Sequence, residues 1–285
     1  MAFPPRLLLP PRPPSPSPAP ARASARPSGG GGRTAPELSG PTPRVVVVTS
    51  GKGGVGKTTT TANLAASLAR LGLPVVAVDA DAGLRNLDLL LGLENRVNLT
   101  AADVLAGDCR LDQALVRHRS LRGLHLLCLS KPRSKLPLAF GSKTLTWVAD
   151  ALRRGADPPA FILIDCPAGV DAGFVTAIAP AEEAVLVTTP DITALRDADR
   201  VAGLLECDGI KDIKIIVNRV RPDLVRGEDM MSALDVQEML GLPLLGLALE
   251  QATWRLVERD AMTAVMVEEQ ERPKKKGGFF SFFGG

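Results

Sequence analysis

Several features that mark particular classes of protein are scarce or missing in this sequence of 285 residues. The four cysteines lie far apart and form no Cys-x-x-Cys pair, which suits a reducing compartment and argues against a disulfide scaffold and a zinc or iron–sulfur cradle. With only two histidines, a histidine-rich metal site is not expected either. No apolar run approaches the roughly 20 residues that cross a bilayer, which excludes an integral membrane protein.

Acidic side chains are almost absent from residues 1–43, which hold five arginines, one acid (Glu37) and 13 of the 24 prolines. Proline interrupts both helices and strands, and the stretch lacks periodic apolar residues, so no packed core is expected there. A disordered leader that is rich in Arg and Ser is typical of an organelle transit peptide, and its proline content favours a plastid address over a mitochondrial one. A disordered linker is the alternative interpretation.

The net charge of +3 is concentrated in that leader, which carries +4, so the remaining 242 residues sum to −1. The part of the chain expected to fold therefore lacks the global basic character of a nucleic-acid-binding protein. We expect no nucleic acid among its partners.

From Arg44 onward, short β-branched runs alternate with longer helical segments, a pattern typical of a parallel sheet that is buried on both faces. We expect a doubly wound, mostly parallel α/β domain over residues 44–268, with its ligand outside the carboxyl ends of the strands. The predicted strands are Val45–Thr49, Val75–Asp79, Leu124–Leu129, Phe161–Asp165, Ala184–Thr188 and Ile213–Asn218. The predicted helices are Thr58–Leu71, Gly141–Arg153, Thr193–Glu206 and Ser232–Leu240.

A glycine-rich loop joins the first predicted strand to the first predicted helix. It fits both G-x-x-x-x-G-K-[ST] and the dinucleotide fingerprint, but a lysine and a hydroxyl at the helix start are needed only by a triphosphate with Mg²⁺. Glycines let backbone N–H groups converge on phosphate oxygens at the helix N-terminus. We expect Lys57 to hold the β- and γ-phosphates and Thr58 to coordinate Mg²⁺. The predicted ATP-binding residues here are Gly51, Lys52, Gly53, Gly54, Val55, Gly56, Lys57, Thr58 and Thr59.

A second lysine, Lys52, follows the first glycine of this loop, and three further segments support one resemblance. The chain resembles the MinD family of deviant Walker A ATPases, in its plastid-targeted form, through residues 79–88, 165–169 and 189–199. The resemblance implies that Lys52 reaches the partner's phosphates in an ATP-bound homodimer, where a cation supplied in trans stabilises the transferred charge. A solvated loop lysine is the alternative.

The resemblance also implies roles for two aspartates and an asparagine. Asp165 ends an apolar strand at the Walker B position, where it would steady Mg²⁺, or it would only cap the following turn. Asp81, aided by Asn86, would position the attacking water, unless Asp81 is purely structural. Asp79 would either support the Mg²⁺ shell or cap the loop, and the sequence favours neither.

Three more residues complete the predicted site. Gly169 would let the backbone move toward a γ-phosphate, because glycine tolerates conformations closed to other residues. Asn218 would contact adenine, or it would be a turn residue. Cys166 follows the Walker B aspartate but has no histidine partner in the motif, so we expect a packed thiol rather than a nucleophile.

The C-terminal tail, residues 273–285, combines lysines with a dense set of phenylalanines. Placed on a helix, Phe279, Phe282 and Phe283 share one face, with Phe280 beside them. We expect the rings to enter the acyl boundary of a membrane while Lys274, Lys275 and Lys276 face anionic headgroups. Docking of the rings on the protein itself or on a partner is the alternative.

The sequence departs from the family pattern after Gly246, where a strand ending in Pro-Glu-Asp and the following loop are expected and the chain runs directly into Leu247. A family segment that helps cover adenine is therefore predicted to be missing. The function implied is a membrane-associated ATPase that positions the chloroplast division site from the stromal side of the inner envelope, with a MinE-type activator and division-ring components. A ParA-like DNA-segregation ATPase, an iron–sulfur carrier and a small-molecule kinase or ligase are the alternatives.

Overall fold

The computed structural model describes residues 42–81, 85–130 and 143–246. The predicted leader, the point of departure after Gly246 and the predicted membrane tail lie outside these residues. Within the described residues, no helix has both the length and the apolar composition needed to cross a membrane.

Eight strands form one sheet in the order β3-β4-β2-β5-β1-β6-β7-β8. All neighbouring pairs are parallel except β3 with β4, which is antiparallel, so the predicted doubly wound, mostly parallel α/β fold is confirmed. The strands are β1 (Arg44–Thr49), β2 (Val75–Asp79), β3 (Val116–Arg117), β4 (Leu124–Cys128), β5 (Phe161–Asp165), β6 (Glu183–Thr188), β7 (Asp212–Val217) and β8 (Leu244–Gly246).

Nine helices are found among the described residues. They are α1 (Lys57–Arg70), α2 (Leu87–Leu90), α3 (Ala101–Ala106), α4 (Leu111–Ala114), α5 (Lys143–Arg153), α6 (Ala172–Ile178), α7 (Ile192–Cys207), α8 (Pro222–Arg226) and α9 (Ala233–Leu240). The four longest match the predicted helices to within one or two residues at each described end. The shorter ones were not predicted.

Apolar side chains from both faces of the central strands form two hydrophobic cores. One core lies between the sheet and helices that include α5, α6, α7 and α9, and the other lies under α1 and α2. Helix α1 begins in a run of threonines, whose β-branched side chains are poor helix formers, so packing rather than propensity holds it. Its leucines and alanines on the sheet side are buried, and Gly72, with φ of +85°, follows its end.

The registers of the central strands align their carboxyl ends. Asp79, the last residue of β2, lies opposite Asp165, the last residue of β5. The neighbouring strand β1 places Val48 opposite Asp165, so the glycine-rich loop leaves the sheet beside both aspartates. The sequence segments with predicted chemistry therefore meet at one edge of the sheet.

Candidate functional site

The glycine-rich loop between β1 and α1 has a conformation that depends on glycine at three positions. Gly56 has φ of +104°, and a Cβ atom there would lie 2.5 Å from Nδ2 of Asn218. A Cβ atom on Gly51 would lie 2.2 Å from the backbone carbonyl carbon of Asp197 in α7. Gly54 has φ of +77°, which also favours glycine, and the surroundings of Gly53 and Gly54 are open on the side where a Cβ atom would point. This leaves room beside the loop for an anionic ligand to meet its backbone N–H groups.

Two residues that follow β7 hold the carbonyl side of the loop. Nδ2 of Asn218 donates to the Val55 carbonyl at 2.8 Å, and a guanidinium nitrogen of Arg219 donates to the Gly54 carbonyl at 2.6 Å. Arg219 has φ of +61°, an uncommon conformation for a residue that is not glycine. With the loop carbonyls held in this way, Asn218 has a positioning role that the sequence did not predict. A contact between Asn218 and adenine stays a prediction.

The predicted metal residues Thr58 and Asp165 are brought together at the start of α1. Asp165 is only 3% exposed, and burial raises the pKa of its carboxyl to about 6, against the opposing effect of hydrogen bonds from the Thr58 and Thr61 hydroxyls. The positive charge of the buried Lys57 also lowers this pKa, while Asp81 raises it. A buried carboxylate with nearby hydroxyls is a suitable oxygen ligand environment for Mg²⁺.

Thr61 is a site residue that sequence reasoning missed. Its hydroxyl oxygen lies 3.0 Å from Oδ1 of Asp165 and 3.1 Å from the Lys57 carbonyl oxygen, and these two acceptors share its single proton. The available signal was helical spacing, because Thr61 lies three residues after Thr58 and therefore on the same face of α1. The hydroxyl holds the Asp165 carboxylate in place.

Asp79 accepts hydrogen bonds from the backbone of the loop that carries the predicted catalytic residues. Its carboxylate accepts from the backbone N–H groups of Asp81 at 3.1 Å, Asn86 at 3.2 Å and Leu87 at 3.1 Å. Burial, followed by the charge of Asp165, raises its pKa to about 7 despite these hydrogen bonds. Of the two roles left open by the sequence, the structure therefore shows the loop-capping one, which brings Asp81 and Asn86 to one carboxylate.

The remaining predicted residues are found around the same edge of the sheet. Gly169 has φ of +92°, which accords with the expected need for glycine there. Cys166 is buried, and burial raises the pKa of its thiol to about 12, so it is protonated and packed as expected. Lys52 is exposed, and its Nζ lies 3.0 Å from Oγ1 of Thr193 and 3.5 Å from Oδ1 of Asp191.

Asp191 is the N-terminal cap of α7 and is strongly anchored. It accepts from the hydroxyls of Thr189 and Thr193 and from the N–H of Ala194, and these bonds, led by that from Thr189, hold its pKa well below the usual range. The carboxylate is therefore ionised at neutral pH and attracts the ammonium of Lys52. Nothing in the sequence indicated this contact within one subunit.

Residues 46–261 match the CobQ/CobB/MinD/ParA nucleotide binding domain family. The chain is also 67% identical, over 279 residues, to the chloroplastic septum site-determining protein minD homolog of Arabidopsis thaliana, and this comparison covers 88% of the chain and 85% of that protein. The chain belongs to the MinD family. The resemblance inferred from the glycine-rich loop and the three aspartate-containing segments is thereby confirmed, and MinD-family members are P-loop ATPases.

Solved structures of MinD proteins have the same fold. The MinD cell division protein of Aquifex aeolicus is 34% identical with a TM-score of 0.64, over 77% of this chain and 97% of that one. A second Aquifex aeolicus structure holds MinD in a complex with MinC. MinD of Pyrococcus horikoshii, complexed with Mg-ADP, is 32% identical with a TM-score of 0.65, over 78% of this chain and 98% of that one. Similarity to these proteins supports a division-site ATPase at the level of the family.

Proposed function

We propose that this MinD-family protein is an ATP-dependent dimerising switch that attaches to a membrane in its ATP state and positions the chloroplast division site. ATP and Mg²⁺ are its cofactors, in accord with the Mg-ADP bound to the Pyrococcus horikoshii relative. The anionic membrane surface is the inner envelope, reached from the stroma. A MinE-type activator and division-ring components are its partners, and the complex of the Aquifex aeolicus relative with MinC supports a partner of this kind.

The residues at the carboxyl edge of the sheet suit this chemistry. The loop N–H groups and Lys57 bind the phosphates, while Thr58 and Asp165 hold Mg²⁺, which supplies positive charge to the phosphate oxygens. Asp81 and Asn86 orient the attacking water, since Asp79 fixes the backbone at both of their positions. Gly169 places a flexible backbone point near the γ-phosphate.

The observation that carries the proposal is the position of Lys52. Its side chain is exposed and bound to α7, whereas Lys57 of the same loop is buried. An exposed cation on a phosphate-binding loop is available to a second subunit. Two apolar side chains beside the site, Val170 after Gly169 and Ile192 after Asp191, are 43% and 64% exposed and would be covered by a partner.

Dimerisation would convert a weak membrane contact into a strong one. Burial of one phenylalanine contributes roughly 1.5–3 kcal/mol, and one lysine near an anionic surface about 1 kcal/mol. Ordering the glycine-flanked tail costs roughly 1–2 kcal/mol per residue, so a single tail binds marginally. Two tails on one dimer gain about 10²–10⁴-fold through effective concentration, so the nucleotide state controls attachment.

Replacement of Lys52 tests the proposal. We expect Lys52→Ala to retain nucleotide affinity within about threefold while losing the ATP-dependent dimer, because it removes the trans contact and, within the subunit, only an exposed contact with α7. Light scattering after size exclusion, with ATP and with ADP, measures the dimer, and calorimetry measures the affinity. Lys211→Ala, which removes an exposed lysine far along the chain from the loop, is the matched control. An unchanged ATP dimer in Lys52→Ala would refute the trans role.

A further inference from the structure

A groove with a volume of about 490 Å³ lies beside the N-terminus of α7, next to the contact of Lys52 with Asp191. Its apolar lining is Pro190, Ile192, Val225, Met230 and Met231, and its other described lining residues are the four acids Asp191, Glu228, Asp229 and Asp235. Methionine-lined grooves adapt to amphipathic helices, and sulfur makes favourable contacts with aromatic rings. The groove therefore suits a basic segment with aromatic anchors.

Two of the four acids, Glu228 and Asp229, are available to a cation. The other two already have hydrogen-bond donors: Asp191 accepts from threonine hydroxyls, and Asp235 accepts from the N–H of Ser232. Within the described part of the chain, the carboxylates of Glu228 and Asp229 have no ion-pair partner. Glu228 also has φ of +61°, a conformation that costs energy for a residue with a side chain.

The chain itself contains a segment with the matching chemistry. Residues 273–285 hold three consecutive lysines followed by four phenylalanines. Strand β8 runs parallel to β7, so Gly246 leaves the sheet at the edge where β7 leads into α8 and the groove. The 27 residues between Gly246 and Lys274 cover roughly 40 Å even at the rise of about 1.5 Å per residue of an α-helix, so the chain is long enough to reach a groove at this edge.

From these observations we infer that residues 273–285 dock in this acidic, methionine-lined groove of their own subunit when no membrane is bound. Together with the proposed membrane role of the tail, on which this inference rests, docking gives the tail two alternative sites, the groove and the lipid surface. Docking keeps four phenylalanines out of water in the unattached protein. It also places the lysines beside Asp191, so tail release and the Lys52 contact share one carboxylate.

Tethering makes even weak docking effective. A tether of this length gives an effective concentration on the order of 1 mM. A groove that binds the tail with a Kd of about 0.1 mM would then be occupied about nine-tenths of the time, and its methionines would be shielded about tenfold.

Methionine oxidation in the full chain with Mg-ADP and without lipid tests the docking. The rates at which peroxide oxidises Met230 and Met231 are compared, by mass spectrometry, between the wild type and a variant in which Phe279, Phe280, Phe282 and Phe283 are all serine. We expect oxidation about tenfold faster in the variant, because the groove is open there. Met239 lies outside the groove and is 57% exposed, so its rate serves as the internal control and should not change.

Equal oxidation of Met230 and Met231 in the two proteins would overturn the inference. Shielding that grows with protein concentration would also overturn it, because the tail would then come from a second copy. These outcomes are independent of lipid, so they are distinct from failure of the membrane role, which would appear as vesicle binding that does not depend on the tail.

A second pair of variants tests the charge of the groove. With Mg-ADP, we expect Glu228→Gln/Asp229→Asn to bind anionic vesicles about two- to tenfold better than wild type, as expected when two exposed ion pairs to the tail are lost. Glu206→Gln/Asp208→Asn makes the same charge change at the other end of α7 and should match the wild type. Equal binding by the groove variant and this control would contradict the docking.

Discussion

The hydroxyl of Thr61 provides a sharp test of how the metal site works. Thr61 donates to the buried carboxylate of Asp165, and this bond opposes the effect of burial on a pKa of about 6. A hydrogen bond to a charged group contributes about 1.5–3 kcal/mol, and one pKa unit corresponds to about 1.4 kcal/mol. Thr61→Val should therefore raise the pKa of Asp165 by about one to two units, to about 7–8.

The consequence is a metal affinity that depends on pH. At pH 6.5 the ionised fraction of Asp165 would fall by about three- to 25-fold, whereas at pH 8.5 it would change by less than about twofold. Because Mg²⁺ needs the ionised carboxylate, the Mg²⁺ concentration for half-maximal ATPase activity should rise by that factor at pH 6.5 and recover at pH 8.5. Magnesium titrations of ATP hydrolysis at several pH values measure this effect.

Two variants make the test specific. Thr61→Ser keeps the donor and should follow the wild-type pH profile. Thr176→Val removes a threonine of α6 that has the same hydrogen bond to the carbonyl four residues earlier but lies away from Asp165, and it should also follow the wild type. If Thr61→Val lowers activity equally at pH 6.5 and 8.5, the Thr61 hydroxyl does not act through the ionisation of Asp165 and the reasoning is wrong.

Three further predictions follow from the same site. Gly56→Ala should lower the Tm of the nucleotide-free protein by about 2–10 °C, because strain at a positive φ costs about 1–3 kcal/mol. Gly53→Ala should barely change the Tm, and equal Tm values for the two variants would contradict this prediction. Arg219→Gln should weaken ADP binding about three- to tenfold in calorimetry, because it releases the Gly54 carbonyl. The control Arg221→Gln removes an exposed ion pair and should weaken binding by less than about twofold. Similar losses of affinity in both variants would disprove the role of the contact between Arg219 and Gly54. Without Mg²⁺ and nucleotide, the raised folded-state pKa of Asp165 gives stability that is present below about pH 3.8 and lost as pH rises through about 6. In urea unfolding, Asp165→Asn should therefore be more stable than the wild type by on the order of 2–3 kcal/mol at pH 8 and by little at pH 4. A difference that does not vary with pH would count against the raised pKa.

The sequence predicted the main elements because they carry strong local signals. The six longer strands are runs of five or six mostly apolar residues. The loop before α1 combines glycines with Lys57 and Thr58 in a pattern that few other sites need. The short helices and the edge strands β3 and β8 have between two and seven residues, too few to show a hydrophobic period. Their positions depend on tertiary packing.

The contacts that the sequence missed join residues far apart in the chain. Arg219 reaches the Gly54 carbonyl across 165 positions, and Lys52 reaches Thr193 across 141. Neither pairing leaves a periodic or local signal. The role of Asp79 was undecided for a related reason, because its three N–H donors are identified only when the loop geometry is known.

The central claim is that ATP held between two subunits converts weak membrane binding into strong membrane binding. The most direct test is co-sedimentation with anionic vesicles, measured with ATP and with ADP. The proteins to compare are the full chain, a chain lacking residues 279–285, and a chain that carries the family segment predicted to be missing after Gly246. We expect the affinity of the full chain for vesicles to be at least about 100-fold higher with ATP than with ADP. The truncated chain should stay in solution and keep its nucleotide affinity. Equal sedimentation of the full chain with either nucleotide, or binding that survives removal of the tail, would contradict the account.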